Sequence, residues 1–120
     1  MTFSGIALGC GNFGGIGSAP EFFGQGIDEE TARAIMDAAW DGGIRWFDTA
    51  DAYGGGRSEQ FIGRWLSERQ RDGLRLTTKV FHSTTGAPGD TGLAPDRIRR
   101  QLEGSLRRLG VDRVDLYLAH

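Results

Sequence analysis

The sequence predicts an α/β fold with parallel strands, and three observations carry that prediction. Short apolar stretches alternate with segments of helical spacing, so that strand, helix, strand recurs three times. Each crossover is long enough to hold a helix, as parallel neighbours require. The loops are also unequal, short after helices (42–44, 72–74, 110–113) and long after strands (10–27, 49–57, 81–94). Parallel α/β folds build their sites from strand-following loops, so the long set marks the expected working face.

A first strand is expected over 5–9. A helix follows with Asp28 as N-cap, an acidic first turn (Glu29, Glu30) and Ala32, Ile35, Met36, Ala39 and Trp40 on one face, ended by Gly42-Gly43. A second strand is expected over 45–48. The next helix is read from Ser58 as N-cap, with Phe61, Ile62, Trp65 and Leu66 inward, Arg64, Glu68 and Arg71 facing water, and Asp72-Gly73 as the stop. The third strand, 75–80, is rich in Thr, Val and Leu. A surface loop over 83–92 leads to the third helix, with Pro95 in its first turn, Ile98, Leu102, Leu106 and Leu109 along one stripe, and Gly110 beyond its end. The arginines of that helix (97, 99, 100, 107, 108) read as a solvated face. A fourth strand is expected over 114–120.

The chain of 120 residues corresponds to one domain, and its 38% hydrophobic and 25% charged residues are those of a globular protein. No apolar run approaches the ~18 residues of a membrane span, and a net charge of -2 offers no basic surface for nucleic acid. Cys10 is the only cysteine, which excludes an intrachain disulfide or a thiolate cluster, and residues 1–4 do not read as an export signal. A cytoplasmic address is the default expectation.

Gly9-Cys10-Gly11-Asn12-Phe13-Gly14 matches GxGxxG after a strand, the fingerprint of a dinucleotide-binding turn. That turn must open a helix at its glycines, whereas helical spacing here begins only near Asp28, and the acid ending the second strand, Asp48, comes too late. A Gly-rich loop closely approached by a ligand or a neighbouring helix is the preferred reading.

The titratable groups carry more. Thirteen of the 14 basic residues are arginine, leaving Lys79 as the sole lysine, with two tyrosines and two histidines. Asp48, Lys79 and His120 fall at the ends of the second, third and fourth strands, and Tyr53 lies just after Asp48, so parallel strands bring all four to one face. The set suits proton transfer from a phenol. A free phenol, with a pKa of about 10, is a poor acid at neutral pH, and a nearby ammonium stabilises the charge left behind. Asp48 would keep the lysine charged, and the His120 imidazole would orient a carbonyl oxygen while Tyr53 delivers the proton. The bland alternatives are a structural Asp48–Lys79 ion pair, a core His120 and a turn Tyr53. His82 reads as a loop or pocket-lining residue, Asp51 as a local turn acceptor, and Trp40 and Trp65 as core.

Phe47-Asp48-Thr49-Ala50-Asp51-Ala52-Tyr53-Gly54, with Ser58-Glu59 and Gly63, resembles the aldo-keto reductase family. So do Gly42-Gly43-Ile44-Arg45 and Asp115-Leu116-Tyr117-Leu118-Ala119-His120. The resemblance implies a (β/α)₈ TIM barrel, NADPH-dependent reduction of a small carbonyl substrate, and a tetrad mapping onto Asp48, Tyr53, Lys79 and His120. It also implies contacts to the nicotinamide end of the cofactor near Cys10, Gly11 and Asp48, and no metal. The family's usual N-terminal hairpin has no room before the first strand. Four strands and three helices compare with eight of each and roughly 250 residues in a barrel, so residues 1–120 are expected to be the N-terminal portion of one barrel domain. An open sheet of this kind is expected to self-associate or to need its C-terminal half, and to be inactive alone. Two other readings are a non-catalytic nucleotide-binding redox sensor or scaffold on the same fold, and a metal-dependent barrel hydrolase using Asp48, Asp51 and His120.

Overall fold

The computed structural model of the protein describes residues 5–120; residues 1–4, read as carrying no export signal, lie outside the described residues. Four strands, β1 (Leu8–Gly9), β2 (Trp46–Asp48), β3 (Arg75–Val80) and β4 (Leu116–Ala119), form one sheet in the order β1-β2-β3-β4. All three pairings are parallel, with Gly9 opposite Asp48, Asp48 opposite Thr77 and Lys79 opposite Leu118. Strand order follows sequence order without reversal, as in a barrel wall and unlike a doubly wound sheet.

Helices α1 (Glu29–Asp41), α2 (Arg57–Ser67) and α3 (Pro95–Leu109) fill the three crossovers. Asp28 caps α1 as expected, its carboxylate accepting from the Thr31 amide at 2.8 Å. The same hydrogen bond holds the Asp28 carboxyl below its ordinary range. Between helices and sheet lies an apolar core of Met36, Phe47, Ile62, Trp65, Leu76 and Leu109 among others. Trp65 packs 5.2 Å from Phe47 and donates its indole N–H to Asp37 at 2.9 Å, so the largest core side chain leaves no buried donor unmet.

Several expectations shift. The first, second and fourth strands are shorter than read, although His120 N still donates to Val80 O at 3.0 Å and extends the ladder past β4. Helix α2 begins at Arg57 with Gly56 as N-cap, not Ser58. The Ser58 hydroxyl is buried and donates to Cys10 O at 2.9 Å while accepting from Thr49, which ties the loop after β1 to the loop after β2. Arg71 does not face water. The helix ends at Ser67, and the returning chain lays the Arg71 guanidinium 3.4 Å from the Trp65 ring centre, with the Trp65 carbonyl as acceptor.

Nor is the α3 arginine face wholly solvated. Arg97 is buried and Arg108 partly so, while Ile98, Leu102 and Leu106 are only half-buried and Leu109 fully. The reason lies in α2, whose Gly63 meets the end of α3 so closely that a Cβ there would collide with the Arg108 carbonyl. That close crossing brings Gly104, Ser105 and Arg108 to the α2 side of α3, whereas Arg97 is buried against the 82–92 loop, donating to His82 O, Asp90 O and Gly92 O.

The segment 9–14 does not open a helix. It folds back against residues 24–27 through Gly14 N to Ile27 O and Ile27 N to Asn12 O, both 2.8 Å, and a nucleotide-binding turn is absent there. Among the described residues, no helix is long and apolar enough to cross a membrane.

Candidate active site

The side of the sheet away from the helices carries Trp46, Asp48, Thr77 and Lys79, because alternate residues of β2 and β3 point there. Trp46 donates its indole N–H to Thr77 Oγ1 at 2.6 Å. Beside them Leu116 and Leu118 are 41% and 37% exposed, and a shallow cavity of about 290 Å³ opens between Gly9, Asp48, Trp46 and these leucines. At the loop end of this face the four candidate residues meet.

Lys79 organises them. Its ammonium donates to Asp48 Oδ2 at 3.1 Å, to Thr49 O at 2.8 Å and to the Tyr53 hydroxyl at 3.3 Å. All three N–H bonds of the ammonium are therefore occupied, and its side chain is only 12% exposed against 37% for Asp48. Tyr53 reaches the lysine because the chain turns sharply after it: Gly54, Gly55 and Gly56 follow in left-handed conformation, φ 62°, 67° and 101°, before α2 begins. That explains three consecutive glycines. The Tyr53 ring lies against Gly11, where a Cβ would sit 3.6 Å from its Cζ, and edge-on to His120 with ring centres 5.5 Å apart. Partial burial, then the charges of Lys79 and His82, hold the His120 imidazole below its ordinary pKa against an opposing pull from Asp48.

Two expectations need correction. Cys10 is fully buried, its thiol directed to Leu8 O, and burial pushes that thiol far up, so it has no surface with which to touch a cofactor. Gly11 keeps its place beside Tyr53. Asp51 is not a turn acceptor: it is fully buried, with Oδ2 accepting from Gln101 of α3 at 2.9 Å and Oδ1 without a partner. The metal-hydrolase alternative loses its donors, since Asp48 is on Lys79 and Asp51 on Gln101, and no three-residue metal-binding group gathers among the described residues.

Sequence reasoning missed the partners supplied by α3. Glu59, at 0% exposure, accepts from Arg108 at 2.9 Å and from Thr78 at 2.7 Å, and Tyr117 donates to Ile98 O. Burial, reinforced by Asp51 and Glu59, pushes Tyr117 up to about 12. Such pairs span some 20 to 50 residues and leave no local periodicity to read.

Burial likewise raises the Asp51 carboxyl from 3.8 to about 6. The unfolded chain then ionises first, so stability is fully present below pH 3.8 and declines as the pH rises through about 6. Asp51→Asn should match the wild type in the acid range and exceed it above pH 6, by at most about 3 kcal/mol. Urea denaturation at both ends of that range checks this; a difference independent of pH would contradict it.

The sequence profile of the Aldo/keto reductase family matches residues 6–120. The chain belongs to this family. It is 44% identical over 108 residues to the uncharacterized oxidoreductase YrpG of Bacillus subtilis, covering 82% of this chain and 33% of that protein. It is 38% identical over 95 residues to the aldo-keto reductase yakc [NADP(+)] of Schizosaccharomyces pombe, covering 77% and 28%. Among solved structures, the holo form of aldo-keto reductase AKR11C1 from Bacillus halodurans superposes with a TM-score of 0.72 at 32% identity, covering 98% of this chain and 38% of that one. The fold is thus that of the aldo-keto reductase (β/α)₈ barrels, represented here by four strands and three helices. The chain spans about a third of the length of the curated relatives it matches.

Proposed function

We propose that this aldo-keto reductase chain forms the catalytic wall of an NADPH-dependent oxidoreductase that reduces an aldehyde or ketone to the alcohol. The observation that carries the reading is the Lys79 ammonium bonded at once to Asp48 and to the Tyr53 hydroxyl. Tyr53 gives its proton to the carbonyl oxygen, and the ammonium already touching the phenol oxygen stabilises the negative charge that appears there. Asp48 balances the ammonium, so the site does not have to neutralise a buried lysine. His120, edge-on to Tyr53, presents a ring N–H to the same carbonyl oxygen.

The residues fit a nicotinamide. Gly9 leaves open space where a side chain would stand, next to the partly exposed Asp48 carboxylate, and Gly11 keeps the Tyr53 ring uncovered on that side. Gly9, Gly11 and Asp48 would hold the ring, and the coenzyme supplies the hydride that joins the carbonyl carbon. The NADP(+) in the name of the yeast relative supports NADPH as that coenzyme.

Four strands leave the apolar inner face around Leu116 and Leu118 open, and β1 and β4 each have one unpaired edge among the described residues. We expect turnover once further strands close the barrel, and self-association of the 120-residue chain by itself. The test is a fluorescence titration with NADPH on this chain and on a protein extended to the length of its relatives, followed by coenzyme oxidation with a panel of aldehydes and ketones. Binding and turnover by the extended protein are expected. Binding without turnover would favour the sensor or scaffold reading, and no binding by either protein would overturn the assignment.

A further inference from the structure

The loop after β3 places a second imidazole in the site, and nothing in the tetrad accounts for it. The His82 ring stands edge-on to His120 with centres 4.8 Å apart and planes at 78°. Tyr53 is a second edge-on neighbour of His120, so two rings pack against that imidazole.

The backbone that carries His82 is pinned. Its carbonyl accepts from Arg97 Nη2 at 3.1 Å, and the buried Arg97 also donates to Asp90 O and Gly92 O. The Asp90 carboxylate accepts from Ser83 and Thr85, and the Ser83 hydroxyl in turn accepts from the amides of Thr85 and Gly86. A glycine- and proline-rich loop is thus bonded into a platform, with His82 at its edge and Phe81 packed against it.

We infer that His82 is a positioning residue for His120, fixing the orientation of that ring against Tyr53. After partial burial, the charges of Lys79 of β3 and of His82 itself oppose protonation of His120, and Asp48 of β2 favours it. The remaining groups at hand are the Tyr53 phenol and Arg97, which reaches His82 through the backbone and is balanced by Asp90. The functional meaning rests on the reductase reading: a neutral, fixed imidazole donates one N–H to the carbonyl oxygen and leaves proton delivery to Tyr53.

The chain has two histidines, so its imidazole C2–H signals report this pair alone. Both His82→Asn and His82→Phe remove the neighbouring charge, and only the second keeps an aromatic edge. In both, His120 should titrate at higher pH than in the wild type. The nuclear Overhauser contact between the Tyr53 and His120 rings should persist in the Phe variant and weaken in the Asn variant. The chain's α-carboxyl is common to all three proteins and cancels. If His120 titrates alike in all three, or the ring contact is indifferent to residue 82, the inference is overturned. Two variants guard against one that fails to fold. The titration needs no coenzyme, so failure of the reductase reading would show separately, as an extended protein that neither binds NADPH nor turns over.

Discussion

Tyr53→Phe should lower kcat for carbonyl reduction by about 10²- to 10⁴-fold in the closed-barrel enzyme, with coenzyme affinity unchanged. The phenyl ring keeps the packing against Gly11 and the edge contact with His120. Lys79 retains Asp48 and Thr49 O, so the ion pair survives and only the proton to be delivered is lost. Lys79→Met differs in kind, because it also strands the Asp48 carboxylate and the Thr49 carbonyl, and it should lower stability as well as rate. Steady-state kinetics alongside NADPH titration separates the two. A Tyr53→Phe enzyme with wild-type kcat would remove Tyr53 as proton donor and leave the Asp48–Lys79 pair as a structural ion pair.

Arg108→Met should destabilise the fold by about 3 kcal/mol or more, the usual consequence of removing one partner from a buried pair. Glu59 is wholly shielded from water and would keep only the Thr78 hydroxyl as donor. The arginine lies in a slot that glycines leave for it: a Cβ at Gly56 would come within 3.0 Å of Arg108 Cδ, and one at Gly104 within 3.1 Å of its Nη1. This slot joins α3 to the turn that presents Tyr53, so the same substitution should also loosen the active-site loop. Adding Glu59→Gln should recover much of the loss, since the uncompensated charge goes with it. Denaturant midpoints of the single and double variants decide the matter; additive losses would mean that the pair has no coupling.

The α/β alternation and most of the core were legible because their signals are local. Third-strand residues 75–80 carry their own β-forming run, and Asp28 with its acidic turn marks the start of α1. The candidate site was legible for a related reason. When parallel strands share one direction, residues at their ends share one face, so Asp48, Lys79 and His120 had to approach whatever the side chains between them did. Scarcity sharpened the reading, since one lysine can be counted but thirteen arginines cannot.

Errors gathered where a side chain has two uses. Ser58 is a good N-cap by composition, but a hydroxyl satisfies any carbonyl within reach, and Cys10 O came into reach only when the first two loops packed. Arg71, Arg97 and Arg108 look solvated on any helical or loop pattern, because a guanidinium shows its preference for water in sequence and its capacity for stacking and multiple donation only beside a partner. Asp51 went the same way, its carboxylate finding Gln101 of α3, 50 residues away in sequence.

By itself the sequence determined the order of elements, the parallel class and the face on which Asp48, Tyr53, Lys79 and His120 collect, all of which depend on backbone periodicity and strand direction. Tertiary structure decided which polar groups are buried together: Cys10 in the core, Glu59 with Arg108, Asp51 with Gln101 and His82 against His120. The physical reason is that apolar burial is non-directional and patterned along the chain, whereas a buried hydrogen bond or ion pair exists only between two specific atoms that distant segments bring within about 3 Å.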